Sequence, residues 1–342
     1  MITNYTSTNQ QDEAHNESMD LSRSANREVI PEQRKLDFAT NTNSRTAISP
    51  LLLPLIVLCA LSVAVFTEVQ SSNNPHPTLF SASSLGSSAA TVTLPFDYTF
   101  NTVETLEEAG VAMESTSPYW WLNSGGMMGI ANGVGATNQG DLSEKSQWHK
   151  IYRIDNSVDT DGGYHPQNIF RLLTRSTWGD VREQVYMNIT NDQLSQSVNR
   201  DESNGLLIFS RYQDENDLYY AGVRVDGTAV IKKKWGGSYH TLAQKVILPG
   251  IYNRLTSPNL LPHNEWIGIR LDTKTISSNA VKLTLYTDFG KTGTWKKVAE
   301  AIDDASNGIG PAITADGVCG IRTDFMDVLF SDFHLNSIAN TP

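Results

Sequence analysis

The sequence predicts an all-β fold: an antiparallel jelly-roll β-sandwich, preceded by a single transmembrane helix and a disordered N-terminal tail. Three observations predict it. Residues 48–66, ISPLLLPLIVLCALSVAVF, form a run of 19 residues without a charge. Beyond it, apolar residues recur at every second position in one short segment after another. Asp-Gly, Gly-Gly and Ser-Pro pairs punctuate those segments, while amphipathic helical patterns are few, with VETLEEAG and VAEAIDDAS the short candidates. Period-two patterning marks half-buried strands, and many such strands without alternating helices mark a sandwich or jelly roll.

Residues 1–47 are rich in Asn, Ser, Thr, Glu and Gln, a composition that buries too little apolar surface to fold, and they are expected to form a disordered cytoplasmic tail. The run at 48–66 matches the length that crosses a bilayer. A buried core helix of that length would carry a polar face. A signal peptide would not normally follow 47 residues of chain. Arg34, Lys35 and Arg45 precede the run, and the next Lys or Arg is Lys145. The positive-inside rule therefore keeps the N-terminus cytoplasmic and makes the C-terminal part extracytoplasmic, on a single-pass membrane protein. Residues 67–90 are a Ser-rich linker, and residues 91–338 form the folded domain.

Within that domain TVTLPFDYTF places Val92, Leu94, Phe96, Tyr98 and Phe100 on one face. VREQVYMNI sets Val181, Val185, Met187 and Ile189 against Arg182, Gln184, Tyr186 and Asn188. WIGIRL and VKLTLYTD alternate in the same way, with Ile267, Ile269, Leu271, Val281, Leu283 and Leu285 inward.

LYYAGVRVDGTAVIKKKW, residues 218–235, reads as a hairpin around Asp226-Gly227. A two-residue loop would place Lys232 and Lys234 on the face of Val223 and Val225. A three-residue loop with Gly227 left-handed in a bulge pairs Arg224 with Thr228 instead. Tyr219, Ala221, Val223, Ala229, Ile231 and Trp235 then face inward. Tyr220, Gly222, Arg224, Val230, Lys232 and Lys234 face outward, leaving only Lys233 misplaced, able to snorkel at the strand end. A one-residue slip exchanges the faces, so the cleaner sort favours the bulge. The outward set suits an anionic or polyhydroxylated ligand; the alternative is a solvated face whose cations meet nearby acids. NIFRLLTRSTW puts Arg171 and Arg175 on one strand face about 13 Å apart, where they extend the basic surface if the strand shares the hairpin's sheet or otherwise form structural ion pairs.

The protein carries 26 Lys plus Arg against 37 Asp plus Glu, a net charge of −11, which argues against nucleic acid as a partner. Its two cysteines, Cys59 and Cys319, exclude a disulfide framework in the domain and a Cys-based metal site. Trp120 and Trp121 on a strand face opposite ways, one toward the core and one available for sugar stacking. DNSVDTDGG gathers Asp155, Asp159 and Asp161 at a spacing that suits either Ca²⁺ or an ordinary Asp/Gly turn. QDENDLYY is the one rough match to a catalytic carboxylate pair and reads as a turn; Gly-x-Ser-x-Gly, His-Glu-x-x-His and phosphate-loop signatures are missing.

FDYTFN at the domain's start, NDLYYAGVRVDG in its middle and GIRTDFMDVLFSDFHL at its end resemble the concanavalin A-like lectin/glucanase superfamily, including laminin G-like jelly-roll sandwiches. The resemblance covers most of residues 91–338. It implies adjacent first and last strands, a closing Asp-Phe pair at Asp332-Phe333, and a structural Ca²⁺ for which Asp332 is the matching metal position. The glucanase Glu-x-Asp-x-x-Glu strand and the alginate-lyase Gln-Ile-His motif are missing here. The expectation is a membrane-anchored, exported module that binds a polysaccharide or glycan through Arg171, Arg175, Tyr220, Arg224, Lys232 and Lys234. A polysaccharide lyase or hydrolase acting on an anionic polysaccharide, with Tyr220, Arg175 and His165 as parts, is the second reading, and a structural surface or adhesion module the third.

Overall fold

A computed structural model describes residues 86–306 and 308–338 of the chain. The expected tail at 1–47, the expected membrane helix at 48–66 and most of the linker at 67–90 lie outside the described residues. Among the described residues no helix is long and apolar enough to cross a membrane.

The domain is built from β1 (Phe96–Tyr98), β2 (Glu104–Glu107), β3 (Trp120–Ser124), β4 (Met127–Ala131) and β5 (Val134–Thr137), then α1 (Gln147–Asp155), then β6 (Ile169–Trp178), β7 (Val181–Asp192) and β8 (Gly205–Tyr212). β9 (Leu218–Arg224), β10 (Thr228–Trp235), β11 (Ser238–Val246), β12 (Trp266–Ser277), β13 (Ala280–Phe289), β14 (Lys296–Asp303), β15 (Gly317–Asp324) and β16 (Met326–Ser337) complete it. Among the described residues these strands form two antiparallel sheets. The nine-stranded sheet runs β14-β13-β12-β7-β16-β5-β4-β2, with β1 also paired to β16, and the seven-stranded sheet runs β11-β10-β9-β8-β15-β6-β3. The first and last strands pair through Phe96–Leu335 and Tyr98–Phe333, as the resemblance implies.

Alternation explains the core. Phe96, Tyr98 and Phe100, then Val185, Met187 and Ile189, then Ile267, Ile269 and Leu271 all turn inward and are buried. Aromatic side chains from both sheets meet there, Trp120 edge-on to Phe333 at 4.8 Å and Phe170 stacked on Phe330 at 5.3 Å. Of the adjacent tryptophans, Trp120 is in this core, while Trp121 packs on the opposite sheet face and donates to Ala109 O at 2.8 Å.

Three local expectations are corrected. VETLEEAG and VAEAIDDAS supply β2 and β14 rather than helices. In β14 the inward Val298, Ala301 and Asp303 alternate imperfectly around a bulge, and pairing with β13 overrides the helix preference of Ala and Glu. The α-helix found instead, QWHKIYRID, is capped by Ser146, which accepts from Trp148 N at 3.2 Å, and it buries Trp148, His149 and Tyr152. Lys233 does not snorkel. It is wholly buried, and its Nζ lies 2.9 Å from the equally buried Asp303 and 2.6 Å from Pro311 O.

Candidate ligand cleft

The hairpin adopts the bulged register. Ala229 lies opposite Val223, Lys232 opposite Tyr220 and Lys234 opposite Leu218. Gly227 has φ +80°, and its N–H donates to Arg224 O at 2.9 Å. A side chain there would be strained, and its Cβ would sit 2.5 Å from Leu248 O. A Gly236-Gly237 turn then returns the chain as β11, which sets Tyr239 beside Lys234.

β6 does share the hairpin's sheet, separated from β9 by β8 and β15. The registers lay side chains across the outer face in rows. One row reads Val230, Gly222, Leu207, Arg322, Arg171 and Ser124, from β10 to β3. The next reads Lys232, Tyr220, Phe209, Gly320, Leu173 and Trp121. Gly222 and Gly320 contribute no side chain, and apolar residues form a second packed layer beneath the charged tips.

On this face lies a cleft of about 260 Å³, with Arg171, Arg322, Asp324, Lys234 and Tyr239 around Phe209, Tyr212 and Leu218, and with Glu215 and Asn216 from the β8–β9 loop at the rim. Arg171 and Arg322 are direct cross-strand partners, a like-charge pairing that opposes folding unless something compensates it. Arg322 Nε donates to Asp324 Oδ1 at 2.9 Å, and its Nη1 reaches Tyr239 Oη at 3.5 Å. Arg171 Nε donates to Ser124 Oγ at 3.2 Å. Lys234 Nζ sits 4.8 Å from the Tyr239 ring centroid, and Tyr220 meets that ring edge-on at 5.6 Å. Among the described residues Arg171, Lys232 and Lys234 have no carboxylate within ion-pair distance.

These neighbours shift the titrations. Burial raises the Tyr239 phenol, but Arg322 and Lys234 outweigh it, so the net displacement is downward. Burial also lowers the Lys232 ammonium, and Arg224 and Arg322 push it the same way. The Tyr220 phenol is raised, chiefly by burial. Burial raises Asp324 against the opposing pull of Arg322 and Arg171.

The six residues predicted to bind ligand therefore fall into three groups. Arg171 and Lys234 line the cleft. Tyr220 and Lys232 lie beside it, Tyr220 buried and buttressing Tyr239. The remaining two are engaged elsewhere. Arg224 pairs with Asp226 at 2.7 Å and donates to Glu202 O. Arg175 donates to Ser87 O and Ser117 O at 2.6 and 2.7 Å, tying residues at the end of the expected linker to the domain. Arg322, Asp324 and Tyr239, which interact with one another in the cleft, were not predicted. The alternation in GVCGIRTD places Arg322 and Asp324 on one face, yet only the insertion of β15 between β6 and β8 brings them to Arg171.

Asp332 lies at a bulge in β16 with φ +51°, and its carboxylate meets Lys291 Nζ at 2.5 Å. Among the described residues no group of three or more His, Cys, Asp or Glu is placed to hold a metal ion. Asp159 and Asp161 instead staple the loop, accepting from Ser197 and Asn199 and from Ser195, His165 and Asn168. Cys319 is a buried free thiol, raised by burial and by neighbouring Glu183.

No family model matches the chain, and no curated protein matches it. Solved structures similar in fold include a carbohydrate-binding module, CBM66, from Bacillus subtilis, at 12% identity and TM-score 0.36, covering 64% of this chain and 95% of that one. A Bacillus licheniformis beta-glucanase aligns at 11% identity and TM-score 0.38, covering 73% of this chain and 100% of that one. The exoplasmic/lumenal domain of VIP36 in a Ca²⁺-bound form aligns at 9% identity and TM-score 0.39, covering 70% and 91%. Likenesses this weak carry neither ligand nor chemistry to this chain.

Proposed function

We propose that the sandwich binds an anionic glycan in the cleft on the outer face of the seven-stranded sheet. One observation carries the reading: Arg171, Arg322 and Lys234 converge beside a half-exposed tyrosine on a domain that is otherwise acidic. An anion relieves the repulsion between the opposed arginines, and arginine forks suit carboxylate or sulfate oxygens. Tyr239, 50% exposed, offers a ring face to sugar C–H groups. The test is calorimetric titration of the full-length protein with alginate and polygalacturonate oligosaccharides, dextran sulfate and neutral dextran. Binding of at least one anionic polymer, weakened about tenfold or more by Arg171→Ala or Arg322→Ala as expected for lost charged hydrogen bonds, supports it. Absence of any anionic binding would leave a structural or adhesion module as the reading.

A polysaccharide lyase is the second reading, and Tyr239 is the observation that favours it. β-Elimination on a uronate needs a base for the proton beside the carboxylate, a cation against that carboxylate, and a proton, from water or from the base once protonated, for the glycosidic oxygen that leaves as its bond to the β-carbon breaks. A phenol lowered by Arg322 and Lys234 fits the first role, and Arg322 or Arg171 the second. Absorbance of the unsaturated product, lost in Tyr239→Phe, is the readout.

The uncharged run at 48–66 and the basic residues before it support a further part of the proposal: a single-pass anchor with the sandwich outside the cytoplasm. Protease added to intact cells would remove the sandwich and spare the N-terminal segment; protection of the sandwich would overturn this.

A further inference from the structure

Asp324 is the least expected residue in a cleft that gathers cations. Its side chain is buried, at 4% residue exposure, at the C-terminal end of β15. One carboxylate oxygen accepts from Arg322 Nε. The other, Oδ2, is buried with no hydrogen-bond partner. A buried carboxylate oxygen without a donor is costly. Asp324 borders the same cleft as Arg171 and Arg322.

Resting on the reading of the cleft as an anionic-glycan site, we propose that Asp324 selects a hydroxylated sugar carboxylate, a uronate, over a fully sulfated sugar that has no free hydroxyl. The chemistry is a matter of donors and acceptors. Arg322 and Asp324 stand side by side as a donor fork and an acceptor. Neighbouring hydroxyls on a sugar ring match that pair, one accepting from the guanidinium and the next donating to Oδ2 once a rotation of the Asp324 side chain turns that oxygen to the cleft. A uronate can do this while its carboxylate lies against Arg171, the arginine without an acid partner among the described residues. A sugar with every hydroxyl sulfated, like inorganic sulfate, brings only acceptor oxygens. Seated on the same arginines, those oxygens would face the Asp324 lone pairs and leave Oδ2 without a donor. A site built to pair a ligand hydroxyl rejects an analogue that lacks it far more strongly than an apolar pocket rejects a size change.

The experiment titrates the full-length protein with three probes: oligouronates from alginate and polygalacturonate, the same oligouronates after O-acetylation, and dextran sulfate with every hydroxyl sulfated, which carries no donor. The wild type is expected to bind an oligouronate more tightly than dextran sulfate. Acetylation, which removes the donors and keeps the carboxylates, is expected to weaken binding by roughly 10-fold or more, the loss of one hydrogen bond to a charged group. Asp324→Asn, which removes the negative charge, is expected to strengthen dextran sulfate binding and shrink the acetylation effect. Tighter binding of dextran sulfate than of every oligouronate by the wild type would overturn the proposal, as would an acetylation effect below about twofold. Both would leave the anion site standing as long as Arg171→Ala still weakened binding. If no anionic probe binds and Arg171→Ala changes nothing, the cleft reading itself fails. The acetylation comparison uses only the native protein, so it decides even if Asp324→Asn does not fold.

Discussion

Replacing Lys233 by Met should be among the most damaging single changes in the domain. Lys233 Nζ lies 2.9 Å from Asp303 Oδ2, 2.6 Å from Pro311 O and 3.3 Å from Gly310 O, and both charged side chains are 0% exposed. Tyr219 Oη donates to the same carboxylate at 2.5 Å and accepts from Ile313 N at 2.9 Å, so the pair also anchors the segment before β15. Methionine keeps the volume of the stem but leaves the Asp303 carboxylate buried with Tyr219 as its remaining donor. Breaking a buried pair in this way costs about 3–5 kcal/mol. At about 2–4 °C per kcal/mol for a domain of this size, the melting temperature should drop by roughly 10 °C. Asp303→Asn removes the charge while keeping an acceptor for Tyr219. The double variant should therefore be less destabilised than the sum of the two singles, by on the order of 2 kcal/mol. Urea denaturation followed by tryptophan fluorescence measures all three. A single-variant loss below about 1 kcal/mol, or strict additivity, would refute the reasoning.

Glu183 is wholly buried between the sheets, where burial holds its carboxyl well above the usual range despite the Cys319 thiol and the Gly320 N–H that it accepts from at 3.0 Å. Its folded pKa exceeds its unfolded one, so its contribution is fully present below the unfolded pKa and is lost as pH rises through the folded one, at up to about 1.4 kcal/mol per pH unit. Glu183→Gln should thus gain stability over the wild type between pH 5 and pH 8 denaturation curves; an unchanged difference would contradict a buried neutral acid. Gly227→Ala, at φ +80° and with its Cβ 2.5 Å from Leu248 O, should cost about 1–3 kcal/mol by the same urea assay. Arg322→Met should raise the Tyr239 pKa by removing the stronger of its two cationic neighbours; ultraviolet titration of the phenolate showing no upward movement would contradict that assignment.

Much of the fold was legible because burial enforces period two. The segments at 96–100, 185–189 and 281–285 turned the expected residues inward, and the bulged register of the hairpin followed from sorting apolar against charged side chains. The misreadings have specific causes. Lys233 lies at an inward position because it has a partner there, Asp303, and no local pattern announces a partner more than 60 residues away. β14 looked helical because Ala and Glu favour helices, until an edge of the sheet offered them backbone partners. Arg175 and Arg224 looked free because the carbonyls and the turn acid that hold them are visible only once the chain is folded.

What the sequence alone determined was the alternation: which side chains each strand turns inward, where the turns fall, and hence a two-sheet antiparallel shell with a basic outer face. Side-chain direction along a strand is a local property, so neighbours in the chain decide it. The order of strands across a sheet is not local. Arg171, Arg322 and Lys234 come from three strands separated in the chain, and only the placing of β15 between β6 and β8 puts two arginines opposite each other with Asp324 two residues along the strand. That placement minimises the free energy of the whole packed core rather than of any segment, and so the tertiary structure alone decided where the cleft would be.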